Sequence, residues 1–168
     1  MSIHFSLLIA FLSINLSFFA CGKDNTTLPS NFATAPASPN LITIIDLVND
    51  MRSKGFNCNG TSVGAAGNLT ANATLNEVAQ KHADYLNSIN QLTHTGENGS
   101  SLAERLSNEG YDFMTAAENL AQGYSDEQSV VTAWQESGGH CLNLMEANVN
   151  EIGVATSGSI WVMVLARR

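Results

Sequence analysis

The sequence is poor in charge, and what charge it has is unevenly placed. Asp, Glu, Lys and Arg make up 13% of the 168 residues, and none of them precedes Lys23. There are 7 basic and 15 acidic residues, which gives a net charge of −8, and no cluster of Lys or Arg occurs. This shortage excludes a nucleic-acid partner, because phosphate binding depends on Lys and Arg. Apolar residues still form 44% of the chain, which excludes a disordered acidic tail.

Charge is missing altogether from the N-terminal segment, which is mostly apolar. Residues 5–20 read FSLLIAFLSINLSFFA, and these 16 residues fall short of the ~20 that span a bilayer as a helix. Their length suits the core of a signal peptide, so residues 1–20 are interpreted as a signal peptide that takes His4 with it. A buried N-terminal helix of the domain is the alternative.

The end of this segment resembles a bacterial lipobox, since it reads Phe18-Phe19-Ala20-Cys21. Cleavage there would leave Cys21 as a lipidated N-terminus, whereas ordinary cleavage near Ala20 would give a freely secreted protein. Residues 21–40 are rich in Thr, Ser, Asn, Ala and Pro and predict a flexible tether that such a lipid would anchor. The protein is thus expected to be exported, as a secreted protein or as a lipoprotein on the extracytoplasmic side. It would touch a membrane only through this lipid.

Cysteine is scarce, and the number of cysteines bears on whether the protein is lipidated or freely secreted. Three cysteines without a C-x-x-C pair exclude a disulfide-dense mini-protein and a zinc knuckle. In an exported chain Cys58 and Cys141 are expected to pair rather than remain free thiols. The bridge would close a loop of about 84 residues and constrain the unfolded chain by roughly 4.5 kcal/mol. Cys21 is then left over, which a lipid would explain.

Residues 41–168 predict one globular domain with helices first and strands late. An apolar pattern at helical spacing runs from Leu41 to Gly55. Three further helices are predicted from N-terminal capping sequences: Thr74-x-x-Glu77, Ser101-x-x-Glu104 and Ser125-x-x-Gln128. Strands are predicted at residues 152–155 and 160–165, joined by a hairpin turn, and a third around residues 117–120. Four helices with late, hairpin-joined strands indicate an α+β fold rather than a parallel βαβ fold.

Several short motifs follow one another in a specific order in this domain. They are LTHTG at residues 92–96, GY at 110–111, AENLA at 117–121, WQESGGHCLNLM at 134–145 and EIGVA at 151–155. In this order the sequence resembles the CAP superfamily of cysteine-rich secretory, antigen 5 and pathogenesis-related 1 proteins, and in particular its bacterial SCP-like branch. The resemblance covers residues 41 to 165. It implies an α-β-α sandwich with a small antiparallel sheet.

The resemblance also implies a cleft formed by His94, Glu118 and His140. A fourth, acidic position of the family is Ser137 here, and Glu136 lies one residue early, a rotation of ~100° on a helix. Gly96-Glu97-Asn98 spells another family tripeptide but directly follows His94, so it is interpreted as a turn. The cleft is expected either to hold a divalent metal such as Zn²⁺ or to be a hydrogen-bonded cluster without metal.

His82 stands beside Ala79 and Ala83 on a predicted helix and is expected to pack in the core. It is therefore left out of the cleft.

Three functions stay open at this point. The favoured one is a non-catalytic binding module for a small apolar or sterol-like ligand, or for an extracellular protein partner. The second is a purely structural surface lipoprotein. The third is a protease-like hydrolase in which Ser137, His140 and Glu118 act as nucleophile, base and orienting group. No sequence motif supports this assignment of roles. No catalytic residue is assigned.

Overall fold

The structure is a computed structural model that describes residues 39–168. The predicted signal peptide, Cys21 and the tether up to residue 38 lie outside the described residues. Between residues 39 and 168 there is no helix with the length and apolar character that crossing a membrane requires.

Residues 39–168 contain five α-helices. They are α1 (Leu41–Lys54), α2 (Ala73–Ile89), α3 (Leu102–Asn108), α4 (Glu127–Glu136) and α5 (Gly138–Leu144). The first four correspond to the helices predicted from the sequence. The sequence did not predict α5, because it has only seven residues and begins with two glycines, which are poor helix formers.

Two of the three predicted capping sequences were wrong in their details. Asn72 rather than Thr74 caps α2, and its side chain accepts a hydrogen bond from the backbone N–H of Leu75. Asp126 rather than Ser125 caps α4 in the same way. Asn and Asp are as good N-caps as Ser and Thr, so a neighbouring Asx side chain takes the position. The capping box that begins at Ser101 is confirmed.

The strands form a four-stranded sheet and a separate two-stranded one. The four-stranded sheet has the order β3 (Thr70–Ala71), β5 (Glu151–Ser157), β6 (Ile160–Arg167), β4 (Thr115–Gln122). Strands β4, β6 and β5 are antiparallel, and the two-residue β3 pairs in parallel with β5. Strands β1 (Phe56–Cys58) and β2 (Thr61–Val63) make the separate hairpin. The predicted α+β sandwich is confirmed.

Helices cover both faces of the four-stranded sheet and create two hydrophobic cores. Helices α1, α4 and α5 pack on one face, where Val48, Trp134 and Leu144 are buried. Helices α2 and α3 pack on the other face, where their residues Leu75, Leu86 and Leu106 are buried. The approach of α2 requires Gly153, since a Cβ there would lie 2.2 Å from the carbonyl carbon of Leu75. Strand β4 ends the sheet, so its side chains reach both cores beside an open edge.

Candidate functional site

The centre of the site is Glu118, which lies in the middle of the edge strand β4. Side chains alternate between the two faces of a strand. Ala116 and Leu120 face the α2–α3 core, so Glu118 between them points to the same side. Only 3% of its side chain is exposed. A carboxylate buried to this degree needs partners that offset the loss of water.

Both carboxylate oxygens of Glu118 have such partners. Oε1 accepts a hydrogen bond from Nδ1 of His94 at 2.8 Å, and Oε2 accepts one from Nη2 of Arg105 at 2.5 Å. The ring nitrogen Nε2 of His82 lies 3.8 Å from Oε1. The site is therefore a charged pair of Glu118 and Arg105 with two histidines beside it.

Arg105 was missed by the sequence analysis, although it holds the site together. It lies in the last turn of the short helix α3 and is 9% exposed. Its Nη1 donates to the carbonyl oxygens of His94 and Ser100, both at 3.1 Å. Gly96 leaves room for it, since a Cβ there would lie 2.5 Å from Oγ of Ser100 and 3.0 Å from Nη1 of Arg105. Arg105 thus fixes both Glu118 and the chain that carries His94.

His94 is the exposed member of the site. Its side chain is 64% exposed, although Nδ1 is held by Glu118. A carboxylate accepts hydrogen bonds, so Nδ1 carries the proton and Nε2 is presented to solvent. Around it is a cleft of about 540 Å³, called the His94 cleft below. Its other lining residues include Thr95, Ser100, Ser101, Leu102, Ala116, Ala117 and Asn143.

His82 packs in the core, as predicted, and it also lies beside Glu118. It is 1% exposed, and its Nε2 donates to the carbonyl oxygen of Thr93 at 3.1 Å. Burial lowers the pKa of the His82 imidazole, while the charge of Glu118 opposes this shift. No local pattern in the sequence indicates this second role, because the contact joins α2 to a strand residue 36 positions later.

His140 lies on α5, whose Cys141 and Leu144 belong to the opposite core. Its carbonyl oxygen accepts a hydrogen bond from Nδ2 of Asn119 at 3.1 Å, but its ring makes no hydrogen bond within residues 39–168. Burial lowers the pKa of the His140 imidazole, and the charge of His94 lowers it further. The two rings are thus near enough to interact electrostatically. Their convergence on Glu118 as one cluster stays a prediction.

The donor atoms do not fit a zinc centre in this arrangement. A protein zinc site normally has three or four ligands at about 2.0–2.3 Å. Both oxygens of Glu118 are taken by His94 and Arg105, and the guanidinium charge repels a cation. Among residues 39–168 there is no group of three His, Cys, Asp or Glu side chains that could hold a metal ion. Zinc binding stays a prediction.

The corner between α4 and α5 holds the other residues that the sequence singled out. Glu136 is the exposed last residue of α4, and Ser137 links the two helices. Within the described residues the hydroxyl of Ser137 makes no hydrogen bond to His140. A nucleophile and its base normally lie within hydrogen-bonding reach, so this geometry does not favour the hydrolase arrangement.

The predicted disulfide is confirmed. Cys58 and Cys141 are bonded, with their Cα atoms 5.4 Å apart. The bond ties the end of β1 to α5 and so fixes the helix that carries His140 and Asn143. Asn143 in turn donates to the carbonyl oxygen of Glu118 at 3.2 Å, which covers part of the open edge of β4.

Helices on both faces of a mainly antiparallel sheet, with a buried glutamate that orients an exposed histidine at the sheet edge, define a CAP-type domain. The profile of the Cysteine-rich secretory protein family, CAP, matches residues 45–163. The chain belongs to this family.

Similar proteins come from several bacteria. The Bacillus subtilis protein YkwD is 33% identical over 95 residues, which cover 55% of this chain and 37% of that protein. This chain therefore matches well under half the length of that relative. An extracellular protein of Bacillus anthracis with an SCP domain superimposes with a TM-score of 0.66 at 25% identity, covering 76% of this chain and 40% of that one. An outer surface protein of Borrelia burgdorferi gives 0.63 at 25% identity, covering 76% and 91%.

Proposed function

We propose that this protein is an exported CAP domain that acts as a non-catalytic binding module and takes up an amphipathic small molecule in the His94 cleft. Export is supported by the apolar residues 5–20 and by the Cys58–Cys141 disulfide, since such bonds persist in oxidising compartments. The similar proteins of B. anthracis and B. burgdorferi are described as an extracellular and an outer surface protein. A lipid on Cys21 would attach the domain to a membrane, and mass spectrometry of the mature N-terminus tests that part.

The observation that carries the binding role is the fixed orientation of His94. Glu118 is held from its other side by Arg105, so the imidazole is not free to rotate away. Its Nε2 therefore offers one defined polar contact in the cleft. The nearby Leu102, Ala116 and Ala117 provide apolar surface. A ligand with an apolar body and one polar end matches this combination.

A second candidate is a hydrolase that uses the His94–Glu118 pair. A histidine oriented by a buried carboxylate is the arrangement of a general base. The pair still needs a nucleophile, and Ser137 lies at the α4–α5 corner rather than in the lining of the His94 cleft. A peptide-library assay would favour the hydrolase only if cleavage is lost in both His94→Ala and Glu118→Gln.

The binding role is tested by NMR titration of the full chain with octanol, octanoate and octylamine. The three probes share one apolar chain and differ only in the polar end. We expect shifts at Leu102, Ala116 and Ala117. His94→Ala should weaken the best probe about three- to tenfold, the worth of one hydrogen bond. Ile42→Ala, an exposed position on α1, should change nothing. If none of the probes shifts these residues, the purely structural role is favoured instead.

A further inference from the structure

Strand β4 leaves part of its main chain unpaired inside the His94 cleft, and the pairing of the central strand β6 shows which part. Strands β5 and β6 are joined by the two-residue turn 158–159, and Ser157 lies opposite Ile160 beside that turn. The residues that flank such a turn exchange hydrogen bonds, and along an antiparallel ladder every second pair does so. The even residues of β6 therefore bond to β5, and its odd residues bond to β4.

This alternation fixes which main-chain groups of β4 face the open edge of the sheet. The odd residues of β4 lie opposite the odd residues of β6, so the N–H and C=O groups of Ala116, Glu118 and Leu120 point outwards. Two contacts agree with this direction. The C=O of Glu118 accepts a hydrogen bond from Nδ2 of Asn143 at 3.2 Å. The C=O of Leu120 accepts one from Nε1 of Trp134 at 3.1 Å.

Ala116 differs from these two residues, because both of its outward groups are free. Neither its N–H nor its C=O makes a hydrogen bond within residues 39–168. The residue is partly exposed and lines the His94 cleft. On one side of it the C=O of Glu118 is already taken, and on the other the N–H of Met114 donates to the C=O of Arg167 at 2.7 Å. The free edge in the cleft is therefore one residue long.

We propose that the ligand of the His94 cleft ends in one amino-acid residue, acylated on its nitrogen and amidated at its carbonyl group, which pairs with Ala116 as an added strand would. This inference rests on the proposed binding role of the cleft and names the class of ligand. The N–H of the ligand residue donates to the C=O of Ala116, and its C=O accepts from the N–H of Ala116. The acyl chain is the apolar body, and Leu102 offers it apolar surface.

Other polar ends match this edge less well. A carboxylate only accepts hydrogen bonds, so it leaves the C=O of Ala116 without a donor. The net charge of −8 also disfavours an anionic end. A longer extended peptide gains little, because the next outward acceptor, the C=O of Glu118, is already bonded to Asn143. One neutral acylated residue uses both free groups and needs no more of the edge.

The first test compares two ligands that differ in one atom group, by NMR titration of the full chain. One is N-octanoylalanine N-methylamide, and the other is its ester analogue, in which an oxygen atom replaces the alanine N–H. We expect the amide to bind about three- to tenfold more tightly than the ester, because only the amide donates to the C=O of Ala116.

Hydrogen exchange gives a second readout at the site itself. The N–H of Ala116 has no partner in the free protein, so it should exchange quickly and slow about tenfold or more when the amide is bound. Ala117 is the internal control: it lies opposite Leu165 in a hydrogen-bonded pair and should exchange slowly with and without ligand.

A third test removes the donor from the protein. Ala116→Pro deletes the outward N–H and leaves the β4–β6 ladder intact, since proline is tolerated where the N–H faces an open edge. Ala116→Val is the matched control, because it keeps the N–H and adds similar bulk. The proline variant should bind the amide about three- to tenfold more weakly than the valine variant.

Any of four results would overturn the proposal. They are equal binding of the amide and the ester, unchanged exchange of the Ala116 N–H at saturation, equal affinity of the two variants with wild-type unfolding midpoints, and more than tenfold tighter binding of an octanoylated trialanine N-methylamide, which would make an extended peptide the ligand. Octanol binding without a preference for the amide over the ester would end this inference alone. Absence of binding by every octyl and octanoyl probe would end the proposed binding role as well.

Discussion

The two faces of the sheet each contain one buried arginine, and the molecule uses them differently. Arg52 on α1 is fully buried and donates only to main-chain carbonyl oxygens, at 2.7–3.2 Å, namely those of Gly67, Leu144, Glu146 and Val149. Arg105 on α3 donates to the carboxylate of Glu118 and to two carbonyls, and its Nε has no hydrogen-bond partner among residues 39–168. One guanidinium joins loops to a helix, whereas the other supports a histidine.

This difference separates a structural face from a functional one. On the Arg52 face, the disulfide also ties β1 to α5. The covalent bond and the hydrogen bonds of Arg52 therefore both hold α5 and the loop that follows it. On the Arg105 face, the buried guanidinium charge is balanced by the carboxylate of Glu118. The orientation of the exposed His94 depends on this carboxylate. Damage to the first face should therefore cost stability, and damage to the second should also alter binding.

The largest expected effect is on the structural face. Cys58→Ser/Cys141→Ser should lower the free energy of unfolding by about 4.5 kcal/mol, because the unfolded chain gains the entropy of a long open loop. Urea denaturation measures this loss. Reduction of the wild type with dithiothreitol should give the same midpoint. A double variant within 1 kcal/mol of the wild type would show that the bridge contributes little to this face.

Arg52→Met should have the next largest effect, a loss of about 3–4 kcal/mol, since several buried carbonyls lose a charged donor at once. The acceptors are backbone atoms, so no second substitution can remove the unpaired groups. Urea denaturation measures the loss, and Lys54→Met on the exposed end of the same helix is the control. Octanol binding by the folded fraction should be unchanged. Weaker octanol binding would contradict the division between the two faces.

Arg105→Met should cost about 3 kcal/mol, because it leaves the charge of Glu118 buried without its partner. Here a second substitution can help: Glu118→Gln keeps an oxygen for His94 and removes the unpaired charge. The double variant should therefore regain about 2 kcal/mol, as a double-mutant cycle would measure. Additive losses in that cycle would show that Arg105 and Glu118 are not coupled. Arg105→Met should also weaken octanol binding, unlike Arg52→Met.

The sequence predicted the parts of this arrangement that depend on local patterns. The helical spacing from Leu41 and the turn between β5 and β6 are local, and both are present. His94 and Glu118 were found through motif order, and they are hydrogen-bonded. Arg105 carries no local signal, because an arginine on a short polar helix is normally exposed. Its burial depends on Gly96 and on the packing of α3 over β4, which only the folded chain reveals.

The shortest elements were missed for a related reason. Strand β3 has two residues, and its pairing with β5 joins positions about 80 residues apart, so no pattern in the sequence could indicate it. Helix α5 begins with two glycines and is stabilised by the burial of Cys141 and Leu144 rather than by helix propensity. In both cases tertiary contacts decide the local structure.

The smallest expected effect concerns the pH dependence of stability. Burial lowers the pKa of His82, with the charges of Arg105 and His94 acting in the same direction and that of Glu118 against them. The folded state therefore binds fewer protons than the unfolded state just below the unfolded pKa of about 6.5. Stability should fall as the pH drops from about 6.5 and level off below the folded pKa.

His82→Gln should remove this component, because glutamine donates to Thr93 without titrating. Each group contributes at most about 1.4 kcal/mol per pH unit, so the loss of stability between pH 6.5 and 5.5 that His82→Gln removes should stay within that limit. Urea midpoints at the two pH values measure it. The pKa of His140 is lowered as well, so His140→Gln should flatten the profile in the same direction, and the two changes should add. An unchanged slope in His82→Gln would show that the pKa of His82 is the same in the folded and the unfolded state.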